Sequence, residues 1–119
     1  MSRCEMRLQL INATVTAVGE TATLEVVSTP LIHEREYHIR YCVTFGRVAT
    51  GAEDLSLIVG ATTYPILTRN GQTVKVGMLR RRELLCLRYI NPNNEVVPAH
   101  FVLLQGQHNQ ALKVQPPVV

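Results

Sequence analysis

Between Tyr41 and Gln105, apolar side chains recur at every second position in short runs, each closed by a turn. A two-residue period puts successive side chains on opposite faces of an extended chain, which suits strands and defeats an amphipathic helix. The cleanest run is Tyr37, Ile39, Tyr41, Val43 and Phe45, alternating with His38, Arg40, Cys42 and Thr44. After a loop through Ala49-Thr50-Gly51-Ala52 come two further runs, Leu55 to Val59 and Tyr64 to Thr68, the latter with Pro65 near its start. Asn70-Gly71 predicts a type I′ hairpin turn, whose central residues both need positive φ, with Thr73 to Val76 as the returning strand.

Upstream, Met6, Leu8 and Leu10 form one alternating set, and Ile11, Ala13, Val15 and Ala17 form another in the opposite phase. A slip of one residue exchanges the faces of a strand, so this segment holds either a bulge or two strands. Gly19-Glu20 marks a turn, Thr23 to Ser28 a strand, and Pro30 its end, because proline cannot donate to a central ladder. Met78 to Glu83 reads as a loop or 3₁₀ turn leading into a strand that runs through Ile90. Asn91-Pro92-Asn93-Asn94 is a turn cluster. Phe101 to Leu104 closes the set.

The expectation is therefore an all-β protein: a small antiparallel β-sandwich or barrel-like domain of about eight short strands. It takes in residues 1–105, and the Gln- and Pro-rich residues 106–119 form an extended C-terminal tail. A chain of 119 residues is one domain by length. It can bury somewhat more than about 60% of its unfolded surface. With 46% hydrophobic residues but only 5% aromatic and no Trp, its core must be mainly aliphatic. A mean hydropathy of +0.08 is high for a small soluble monomer and hints at apolar surface shared between subunits.

A net charge of +3 is mild for a nucleic-acid binder, which concentrates basic residues and interleaves aromatics with them. No nucleic-acid partner is expected. The N-terminus lacks an apolar signal core, and no run approaches the about 20 apolar residues of a membrane helix, so neither secretion nor membrane insertion is expected. Cys4, Cys42 and Cys86 form an odd set without a CxxC pair, which favours reduced thiols and folding in a cytoplasm.

Chemistry-bearing patterns are sparse. His33, His38, His100 and His108 show no metal-ligand spacing. Glu53-Asp54 reads as a pair of solvated loop charges rather than as half of a catalytic carboxylate pair. Phosphate loops, nucleophile elbows and Cys-His arrangements are absent, so no catalytic residue, cofactor or metal is assigned and an enzyme is not expected. Tyr37, Tyr41 and Phe45 share a strand face and read as core rather than as a sugar-stacking platform. The one dense basic group, Arg80-Arg81-Arg82, reads as a solvated turn, as an inter-subunit contact to Glu34, Glu36 or Glu83 of a neighbour, or as a docking point for an acidic surface.

The stretch from Tyr37 to Leu104 resembles a β-module that recurs in bacteriophage tail-fibre, head-fibre and other virion-surface proteins. The likeness rests on Thr50-Gly51-Ala52 with Leu55 to Gly60, on Tyr64-Pro65-Ile66 with Asn70-Gly71, on Leu79 with Leu85-Cys86-Leu87-Arg88-Tyr89, and on Phe101-Val102-Leu103. Members of that group often carry Gly at the place of Arg81 or Arg82 and Asp-Gly at the place of Ile90-Asn91. The resemblance implies a virion structural protein, folded in the host cytoplasm, without cofactor or catalysis. It assembles as a homo-oligomer, with a trimer favoured, and contacts other virion proteins. A carbohydrate- or peptide-binding β-sandwich module of bacterial or prophage origin is the alternative.

Overall fold

A computed structural model of the protein describes residues 6–40, 49–79, 84–93 and 95–105, with Leu84 and Gln105 described by their backbone alone. The strands are β1 (Met6–Arg7), β2 (Leu10–Ala17), β3 (Thr21–Val26), β4 (Glu36–Arg40), β5 (Asp54–Val59), β6 (Thr62–Leu67), β7 (Leu84–Ile90) and β8 (His100–Gln105). They form one eight-stranded sheet in the order β1-β4-β7-β8-β6-β5-β3-β2. The all-β, barrel-like reading holds, with one curled sheet in place of two packed layers.

The two ends of that order are consecutive in the chain. Leu8 N–H donates to the His38 carbonyl beside β4 at 2.8 Å, while the Gln9 carbonyl accepts from Val27 N–H beyond β3 at 2.9 Å. Adjacent residues of an extended segment point their amides to opposite edges. Leu8 and Gln9 thus hold both margins of the sheet and curl it back on itself. The phase shift read from the sequence falls here. A register shift between Leu10 and Asn12 marks a bulge at Ile11, which leaves that side chain 58% exposed while Leu8 is buried.

Antiparallel pairing was expected throughout, yet β1 with β4, β3 with β5, and β6 with β8 are parallel. The sheet is mixed because hairpins account only for neighbours in sequence. After β3 the chain crosses to β4 on the far side of the sheet before returning as β5.

Two turns differ from expectation. The tight hairpin is Gly60-Ala61, between the paired residues Val59 and Thr62, with φ +65 at Gly60. The Asn70-Gly71 loop instead spans Arg69 to Gly71: Gly71 N–H bonds the Thr68 carbonyl, Thr68 N–H bonds that of Gln72, and only Gly71 has positive φ. A three-residue loop with glycine in the left-handed position replaces the type I′ turn. Thr73 to Val76 is not a full strand. It makes isolated bridges from Thr73 to Leu67 and from Lys75 to Asp54. Between them, buried Val74 donates to the Ile66 carbonyl and accepts from Leu55 N–H, then a 3₁₀ turn follows at Val76–Met78. The run read as Tyr37 to Phe45 is strand over Glu36–Arg40, and residues 41–48 lie outside the described residues.

The inner face is lined by Leu24, Leu57, Ile66, Leu85, Leu87 and Phe101, all essentially without exposure. Burying each such side chain contributes about 1.5–3 kcal/mol before conformational entropy is set against it. The described aromatics concentrate in one place. Phe101 packs against Tyr37, Tyr64 and Tyr89 with centroid distances of 6.4, 5.5 and 5.2 Å. Burial, then a hydrogen bond with Tyr64, raises the Tyr89 phenol above its usual value.

Candidate functional site

Three features outside the apolar core bear on function. The first is Glu53, expected as a solvated loop charge but fully buried. Its carboxylate accepts from Gly19 N–H at 2.8 Å, Thr50 N–H at 2.8 Å, Gly51 N–H at 2.9 Å and the Thr50 hydroxyl at 3.1 Å. Donation from Thr50, opposed by desolvation and supported by Gly19 and Gly51, lowers its pKa from 4.5 to about 2. The group stays ionised and its lone pairs are occupied, so it ties loops together and is poorly suited to exchange protons near neutrality. Its neighbour Asp54 pairs with Lys75 at a half-exposed site, an arrangement worth little in water.

The second is the outer face of β4 and β7. Register pairs Glu36 with Arg88 and His38 with Cys86. Glu36 is only 14% exposed and is bonded to Arg88 through Oε2, while Oε1 has no hydrogen-bond partner among the described residues. Cys86 is 3% exposed and disulfide-bonded, which corrects the expectation of reduced thiols at this position. Cys4 and Cys42, the other cysteines, lie outside the described residues. Alternation with Leu85 and Leu87 sets Cys86 on the opposite face of the strand, but it carries no sign of the disulfide.

The third feature is apolar and lies at the sheet closure. Met6 and Ile11 are 37% and 58% exposed on either side of the Leu8-Gln9 crossing, and Val27, bonded to Gln9 through its backbone, is 45% exposed. Ile32, in the connection from β3 to β4, is 48% exposed. Ile11 and Val27 sit on segments joined at Gln9, whereas the register sets Met6 beside buried Tyr37.

The predicted contact residues Arg80, Arg81 and Arg82 lie outside the described residues. Among the described residues, no group of three or more His, Cys, Asp or Glu side chains is placed to hold a metal ion. No described helix is long and apolar enough to cross a membrane. Among the described residues, these features are structural ties and half-exposed apolar side chains. No family model, curated protein or solved structure matches the chain.

Proposed function

We propose that this chain is a bacteriophage virion structural protein, a capsid-decoration, head-fibre or tail-fibre component that acts through oligomeric assembly, with a trimer favoured. The observation that carries the reading is the pair of half-exposed apolar side chains Ile11 and Val27 at the sheet closure. A domain of this size gains by covering such surface with another subunit. The segments that resemble the phage module support it too. Leu55 to Gly60, Tyr64 to Ile66, Leu85 to Tyr89 and Phe101 to Leu103 build neighbouring strands β5, β6, β8 and β7. They form one continuous half of the sheet, as a repeated module would.

The carbohydrate-binding alternative is not favoured, because the described aromatics Tyr37, Tyr64, Tyr89 and Phe101 pack on one another and present no stacking platform. Light scattering of the purified chain tests the assembly reading. A trimer or larger closed assembly is expected, and a monomer at working concentrations overturns it.

A further inference from the structure

We propose that His33 is a proton-sensitive latch that holds the loop of residues 31–35 against the end of β7. The ring Nδ1 of His33 accepts from the backbone N–H of Asn91 at 2.9 Å, so the docked state needs an unprotonated Nδ1. Two further bonds complete the dock: Glu34 N–H to the Tyr89 carbonyl at 2.6 Å and Tyr89 N–H to the Arg35 carbonyl at 3.1 Å. Glu34 is held at φ +68, a left-handed conformation that a residue with a Cβ adopts only when its surroundings impose it. The loop is thus strained at Glu34 and fastened next to it by an acceptor that a proton removes.

Protonation turns Nδ1 from acceptor to donor, and it then faces the Asn91 N–H donor. The imidazolium Nε2 also lies 3.6 Å from Glu34 Oε2, an ion pair within the loop itself that adds no bond to β7. Loss of the Asn91 bond is what favours release, which lets Glu34 leave its strained backbone state. Among the described residues, the other charged or titratable groups at this end of the sheet include Arg35 in the loop, Tyr37 and Glu36 in β4, Arg88 (the partner of Glu36) and Tyr89 in β7, and His100, which opens β8 opposite Ile90. Glu36 and Arg88 neutralise each other, and His100 Nδ1 is already engaged with the Pro98 carbonyl at 2.9 Å. His33 is the group whose own protonation breaks a bond between loop and sheet. Release would also free the backbone around half-exposed Ile32, whose N–H donates to the Tyr37 hydroxyl at 2.9 Å in the docked state.

The test is amide hydrogen exchange of the full chain from about pH 8 to pH 5, the range in which imidazoles titrate, corrected for intrinsic exchange chemistry. Protection at Asn91 and across residues 32–35 is expected to fall by about twofold to tenfold at the acid end, the share of one hydrogen bond. His33→Asn supplies a side-chain acceptor that does not titrate and should keep the loop protected at both ends. His33→Ala should be open at both. Equal protection across pH in the wild type overturns the latch, and so does a pH dependence that survives in His33→Asn.

Discussion

The backbone amide of Gly19 donates to the carboxylate of Glu53 at 2.8 Å across a separation of 34 residues. Glu53 also receives Thr50 and Gly51, while its own carbonyl accepts from Val76 N–H at 2.9 Å. One side chain therefore joins the β2–β3 turn to the loop before β5, and its backbone adds the 3₁₀ turn.

That arrangement fixes a pH dependence. The folded pKa of about 2 lies below the ordinary 4.5, so ionised Glu53 stabilises the fold fully above about 4.5. The contribution is lost as pH falls from there towards about 2. Glu53→Gln should lower Tm at neutral pH and flatten the acid limb of the stability curve in that window. Denaturant titrations at stepped pH check both effects, and an unchanged acid limb would count against the cradle.

Phe101 is fully buried and touches three other rings. Phe101→Ala should cost about 3–5 kcal/mol, by lost transfer energy and the cavity left behind. Phe101→Leu should cost less, since it retains much of the volume. Urea unfolding monitored by circular dichroism measures the two.

The disulfide at Cys86 should show in the intact mass as the absence of two hydrogens before reduction. Alkylation without reductant should leave Cys86 unlabelled and one of the three cysteines modified. Labelling of Cys86 in the untreated protein would show it to be reduced.

If Ile11 and Val27 are covered in an assembly, Ile11→Asp with Val27→Asp should shift the native mass towards monomer while the circular dichroism spectrum stays that of a β-protein. Both side chains are already about half exposed, so the folded subunit should tolerate the charges. An assembly that survives the double change would place the interface elsewhere.

The arginine cluster makes a separate prediction. If Arg80, Arg81 and Arg82 hold subunits together, changing all three to Ser should favour monomer, and the wild-type assembly should weaken with salt. Native mass measured across ionic strength decides it, and an unchanged mass rejects that role.

The sequence by itself determined what local physics controls: an all-β chain, most of the extended runs and the turn at Gly19. Alternation reports which side chains share a face, and glycine reports where backbone turns, because both are properties of neighbours along the chain. The bulge at Ile11 was visible as a change of phase. Tertiary structure alone decided that Leu8 and Gln9 join the two margins of the sheet, and that β3 lies parallel to β5, with Asp54 opposite Thr21. It also buried Glu53, whose charge reads as a solvated loop residue until Gly19 is folded onto it. These outcomes depend on pairing between segments distant in sequence, and strands of equal apolarity do not name their partners.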